Sequence, residues 1–141
     1  MVLGELIVED RGKITGQRVL DVEGPKIESS FTMSGRYKGV EGTDMGTYYD
    51  VMRQGAEEEG VLYGEGQVIV TTKDGKGMAT WTGQGIGRSV GQEKVSFRGS
   101  LLFHAPTATG GNPSSFNNLV GVFEYEVYEQ GNSSAKVWEW K

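Results

Sequence analysis

The sequence predicts an all-β protein, one domain spanning residues 1–141, folded as a single closed antiparallel up-and-down β-barrel of about eight strands. Three observations carry that expectation. Apolar residues recur with period two along almost the whole chain, and turn signals interrupt them about every 8 to 14 residues. Glycine supplies 23 of 141 residues, roughly twice ordinary usage. Much of it lies inside strand alternation, where tight coiling needs relief from side-chain crowding. A meander of this length with one apolar face must stack as a sandwich or close on itself, and closure is favoured because it leaves no exposed edge.

The elements follow in order. Residues 3–9 open as a strand and turn at Asp10-Arg11-Gly12. Residues 13–23 continue with Ile14, Gly16, Arg18, Leu20 and Val22 on one face, as far as the Gly24-Pro25 break. Residues 26–41 read as one long strand in which Ile27, Ser29, Phe31, Met33, Gly35, Tyr37 and Gly39 alternate with polar residues. Residues 45–54 fit two patterns. Met45, Tyr48, Tyr49 and Met52 match a helical stripe with Asp44 as N-cap, but Thr47, Tyr48, Tyr49 and Val51 are β-formers and favour a strand. Glu57-Glu58-Glu59 reads as a solvated acidic turn and not as a metal site.

The densest glycine pattern, GEGQVIVTTKDGKGMATWTGQGIG over residues 64–87, reads as a hairpin turning at Asp74-Gly75. A two-residue type I′ turn there sets Leu62, Gly64, Gly66, Val68 and Val70 opposite Gly87, Gly85, Gly83, Trp81 and Ala79 on one face. The other face sets Tyr63, Glu65 and Gln67 opposite Ile86, Gln84 and Thr82. Residues 94–104 follow, with Val95, Phe97, Gly99, Leu101 and Phe103 in phase. If Val90-Gly91-Gln92 is a three-residue loop, Trp81 faces Leu101, Gly83 faces Gly99 and Gly85 faces Phe97, and the glycine face is interior. A two-residue loop flips every side chain and puts Glu65 and Gln84 inside, with Tyr63 near them. The first register is favoured. Residues 105–118 form a polar loop around Phe116, whose length suggests a lid or other functional loop, or simple disorder. Residues 119–129 return with Leu119, Gly121, Phe123, Tyr125 and Val127 in phase, and residues 135–141 make the last strand.

Composition excludes several classes of function. A net charge of −5, with the basic residues scattered singly, disfavours nucleic acid as a partner. No apolar run is long enough for membrane insertion as a helix, and the N-terminal stretch lacks the pattern of a secretion signal, so a cytoplasmic location is expected. With no cysteine and one histidine, neither a thiol site nor a metal centre is supported, and no cofactor is implied. Gly83-x-Gly85-x-Gly87 lies within strand alternation and does not open a helix, so it is no dinucleotide fingerprint. His104, with no nucleophile elbow in the sequence, reads as an exposed strand end.

Two ionisable residues stand out as catalytic candidates. Arg18 lies in phase with apolar residues and, if inward, needs an anionic partner or ligand; a bulge would turn it outward instead. Glu65 becomes interior only in the alternative register, with Tyr63 and Gln84, and a carboxyl there would have a raised pKa. In the favoured register the candidate binding wall is Tyr37, Trp81, Phe97, Phe103, Phe123 and Tyr125. These aromatics either fill the space over the glycines or leave it for one small ligand.

The segments GEGQ, TWTGQGIG, SFRGSLLF and LVGVFEYEV, with their strand rhythm and glycine placement, resemble the allene oxide cyclase/dirigent-like group of small barrels, and more closely short prokaryotic proteins similar to that group. The resemblance spans most of the chain and implies a barrel that holds an apolar small molecule and forms a homo-oligomer. A calycin-like barrel of the lipocalin or avidin kind is the second analogy. The functional expectation is binding of a small apolar or amphipathic molecule in the interior. The alternatives are an enzyme of cyclase or isomerase type on such a molecule, and a filled barrel serving only for oligomerisation.

Overall fold

The computed structural model describes residues 3–53, 60–91, 93–105 and 116–141. Eight strands follow one another around a closed antiparallel barrel: β1 (Leu3–Asp21), β2 (Lys26–Tyr37), β3 (Val40–Met52), β4 (Leu62–Thr72), β5 (Met78–Ser89), β6 (Lys94–His104), β7 (Val120–Tyr128) and β8 (Asn132–Trp140). β8 pairs with β1 to close the ring. The glycine face lies inside, as the favoured register expects, together with the in-phase rows of β2, β6 and β7. Residues 45–52 are strand, not helix. The acidic triplet at residues 57–59 lies outside the described residues.

Four departures from the sequence expectations have local reasons, and β8 in addition begins at Asn132, three residues earlier than expected. Asp10-Arg11-Gly12 is not a turn: β1 runs straight through it, because Gly12 is needed where the β2 backbone presses close. A Cβ at Gly12 would lie 2.6 Å from Met33 Cα. The strand expected over residues 26–41 breaks at Lys38-Gly39, whose φ values of 49° and 83° make the two-residue hairpin turn between Tyr37 and Val40. The β4–β5 pairing stands as read, from Leu62↔Gly87 to Thr71↔Met78. Its turn is not type I′, however, because Gly75 takes a positive φ and Asp74 does not. Instead Asp74 Oδ1 accepts hydrogen bonds from Thr72 Oγ1 at 2.7 Å and from the Lys76 N–H at 2.9 Å.

The fourth difference is the β5–β6 register. Trp81 pairs with Phe103, Gly83 with Leu101, Gly85 with Gly99 and Gly87 with Phe97, two residues from the expected match. The connection starts one residue later than expected: Val90 N–H donates to Lys94 O at 3.1 Å, Gly91 and Glu93 both adopt positive φ, and the Lys94 N–H donates back to Gly91 O at 3.2 Å. A slip of two preserves the face, so the inward set survives.

The outer face carries ion pairs such as Arg98–Glu124 at 3.5 Å and Lys136–Glu9 at 3.7 Å, charges that would be costly against hydrocarbon.

Candidate functional site

Two aromatic clusters close the barrel interior. At the end where β2 meets β3, the buried Tyr37 and Phe103 rings pack on Phe116, with centroids 6.4 and 5.2 Å away. Phe116 comes from the segment read as a polar loop, of which residues 106–115 lie outside the described part. Its backbone is tied down where Asn118 N–H donates to Phe103 O at 3.0 Å and Phe103 N–H donates to Leu119 O at 2.9 Å. At the opposite end Phe31, Tyr48, Phe97 and Tyr125 meet across the axis, with centroids 5.6–6.2 Å apart. The Tyr125 hydroxyl hydrogen-bonds Tyr48 Oη at 3.4 Å. Phe31 and Phe97 are buried there while the two tyrosines are half-buried, so this end is the less tightly closed of the two.

Side chains cover much of the bare glycine wall. A Cβ at Gly85 would lie 2.9 Å from Phe123 Cζ, one at Gly87 would lie 2.8 Å from Phe97 Cδ1, and one at Gly83 would collide with Leu101. Glycine backbone on one strand and large side chains on another thus share the same space. A cavity of about 80 Å³ remains between the aromatic closures, walled by Phe31, Met33, Trp81, Leu101, Phe123 and Val137 among others. Trp81 and Phe123 point inward yet stay only half-buried, as expected of side chains that face unfilled space.

Asp10 and Asp44, which line one side of this cavity, are 4% and 3% exposed. They come from β1 and β3, and β2 between them supplies Tyr37. The phenol oxygen lies 2.9 Å from Asp10 Oδ2 and also hydrogen-bonds Asp44 Oδ2. Two glycines make the arrangement possible. A Cβ at Gly35 would collide with the Asp10 side chain, and one at Gly42 would sit 3.1 Å from the Tyr37 ring.

The chemistry of this trio follows from counting protons. A phenol has one proton and cannot donate a full hydrogen bond to both carboxylates. A carboxyl proton supplies the second bond. Burial, reinforced by the adjacent Asp44, pushes Asp10 up to about 9, and burial also raises Asp44 while bonds accepted from Asp10 and Tyr37 oppose the rise. Asp10 therefore keeps its proton near neutral pH, and Asp44, whose charge is among the causes that raise Asp10, is the partner that accepts it. The Oδ1 oxygen of each receives no hydrogen bond from an N–H or hydroxyl of the described residues.

Asp50, at the other end of the barrel, is raised to about 6 by burial alone, and its Oδ1 is also without a donor among the described residues. Among those residues no group of three metal-ligating side chains is close enough to hold an ion.

The residues expected from sequence fall into two sets. Tyr37, Trp81, Phe97, Phe103, Phe123 and Tyr125 all project into the interior: Trp81, Phe97, Phe103, Phe123 and Tyr125 border the cavity, and Tyr37 stands behind the two aspartates. Arg18 and Glu65 do not reach the interior. A bulge between Ile14 and Gly16 shifts the parity of β1, so Arg18 pairs with Glu28 on the outer face at 3.4 Å with its side chain 70% exposed. Glu65 is likewise outside, accepting hydrogen bonds from the Tyr49 hydroxyl and from Tyr63 Oη, the latter at 2.7 Å. Tyr63 Oη also lies 3.0 Å from the Gln84 side-chain amide, so the set that defined the alternative register is a surface cluster. His104 ends β6 exposed.

Sequence reading missed Asp10 and Asp44, the inward ionisable groups that border the cavity. One signal could have found the second. Gly42, Asp44, Gly46 and Tyr48 alternate in phase with the inward rows of β2 and β4.

The fold and interior define a class: a closed eight-stranded antiparallel barrel with, among the described residues, a small chamber bordered by a buried carboxyl pair. No family model matches the chain, and no curated protein matches it. Among solved structures, the chain is similar to the crystal structure of the conserved protein of unknown function RPA1785 from Rhodopseudomonas palustris. The TM-score is 0.72 at 13% identity, over 99% of this chain and 98% of that one. At that identity the likeness is one of fold.

Proposed function

We propose that the barrel binds a small apolar or amphipathic molecule in its interior, with Trp81, Phe123, Leu101 and Phe31 as the apolar wall and Asp10–Asp44 as the polar anchor. The observation that carries the reading is the chamber of about 80 Å³ between the two aromatic closures, bordered by ionisable groups that have unmade hydrogen bonds. Ligand sites have this make-up, an apolar lining with few polar groups, but are usually about 300 Å³ or more. An apolar cavity of about 150 Å³ accommodates benzene, so the resting chamber suits roughly three or four heavy atoms. Larger ligands require Phe123 and Leu101, which now fill the space over Gly85 and Gly83, to change rotamer.

The experiment is native mass spectrometry of protein taken from cells, paired with titration of an apolar fluorophore. A copurified mass, or dye uptake that Trp81→Phe alters, supports the reading. Absence of both contradicts it.

A second reading is an isomerase- or cyclase-type enzyme, favoured by the single shared proton of Asp10–Asp44 beside an apolar chamber. Carboxyl pairs whose environments separate their protonation states are suited to acid–base exchange. In that case Asp10→Asn would abolish turnover while the interior still bound ligand; equal turnover in the variant would sink it.

A further inference from the structure

The proposed interior site leaves open which polar group a ligand would carry, and the buried trio narrows that choice. We infer that the chamber selects a small primary amine, bound as its ammonium form with the nitrogen at Asp10 and Asp44 and a short alkyl tail toward Trp81 and Phe123. This inference rests on the interior-binding reading above.

Three observations converge. First, both carboxyls are more than nine-tenths buried, border the cavity and have an Oδ1 that no N–H or hydroxyl of the described residues reaches. An ionised carboxylate can only accept, so the complementary ligand group must donate. Second, the groups acting on the pair are each other and Tyr37; no lysine or arginine of the described residues stands in an ion pair with either. A buried negative charge with no counter-charge is costly, and a cation in the chamber offsets that cost directly. Third, the facing wall is aromatic, and Trp is the best of the side-chain π faces for a nearby cation. A carboxylate ligand meets the opposite situation, since it would place like charges together in an apolar enclosure. A neutral alcohol could donate one bond but leaves the charge unmatched.

Size limits the tail. With room for roughly three or four heavy atoms, n-propylamine fits the resting chamber and longer amines require the side chains over the glycines to move.

The test is calorimetric titration of the full chain near pH 7.5 with n-propylamine, n-propanol and propionate, three probes of one length and different charge. The expected result is amine binding about tenfold or more tighter than alcohol, with propionate not binding. Because the chain is acidic and attracts cations generally, the preference is measured again in Asp10→Asn/Asp44→Asn, where amine and alcohol should bind alike. Asp44→Asn alone, a milder change should the double variant not fold, should shrink the preference in the same direction. If propanol binds as tightly as propylamine to the unaltered protein, or the preference persists in the folded double variant, the amine assignment fails and interior binding stands. If neither probe binds nor displaces an apolar dye, water serves the unpaired oxygens and both readings fall.

Discussion

Asp10 on β1 and Asp44 on β3 belong to strands that do not pair, yet both hydrogen-bond the hydroxyl of Tyr37 from the intervening β2. The contact joins three strands through side chains within the apolar interior. It also concentrates the buried ionisable groups that border the chamber at one point, so acid–base behaviour of the chamber should trace to this trio.

The first consequence is an unusual pH dependence of stability. An aspartate whose folded pKa is raised binds its proton more tightly folded than unfolded, so its contribution is full below the unfolded value and is lost as pH rises through the folded one. Asp50 acts in this sense up to about pH 6 and Asp10 up to about pH 9. Denaturant unfolding should show stability falling from about pH 4 to pH 9, with a slope of at most about 1.4 kcal/mol per pH unit for each proton. Asp10→Asn should flatten the part above about pH 6. Stability that rises across this range in the unaltered protein would contradict the assignment.

Removing the phenol oxygen should be expensive. Tyr37→Phe keeps the ring against Phe116 but leaves both carboxyls short of a partner, a loss of roughly 1–3 kcal/mol for a buried unsatisfied group. Chemical denaturation at pH 7 measures it. A change within a few tenths of a kcal/mol would mean that water replaces the hydroxyl.

Glycine replacements should separate by position and not by strand. Gly99 lies against the β5 backbone, where a Cβ would be 2.6 Å from Gly85 Cα; backbone cannot move aside as a flexible side chain can, so Gly99→Ala should cost about 1–3 kcal/mol or prevent folding. Gly16 has nothing within 4 Å of its Cβ position, and Gly16→Ala should be neutral or stabilise by a few tenths of a kcal/mol through the unfolded state. Thermal melts of the two variants make the comparison.

Arg18 and Glu65 should have no part in the interior's behaviour. Arg18→Ala removes one end of an exposed pair with Glu28, a kind of contact worth about 0–1 kcal/mol, and neither it nor Glu65→Gln should change dye uptake or amine preference. A loss of binding in either would return that residue to the site.

Which face of each strand turns inward was legible wherever it depended on local alternation, as in the rows of Phe31, Met33 and Tyr37, of Phe97, Leu101 and Phe103, and of Phe123 and Tyr125. Closure followed from strand number and glycine content. What could not be read depended on single residues that interrupt the period. The bulge before Gly16 reversed the parity of Arg18, and nothing in Thr15 announces it. Asp-Arg-Gly at residues 10–12 has the composition of a turn, but Gly12 serves the close approach of Met33, which only the tertiary fold reveals. The same error hid Asp10. The β5–β6 register hinged on Glu93, a non-glycine residue at positive φ that the sequence does not mark.

The measurement that bears most directly on the account is a carbon-13 NMR titration of the aspartate carboxyls. The account predicts that the Asp10 carboxyl stays protonated through neutral pH and titrates near 9, that this titration is absent in Asp10→Asn, and that its midpoint falls in Asp44→Asn. If both carboxyls instead titrate near the ordinary value of about 4, the pair is hydrated and the dry, singly charged chamber does not exist.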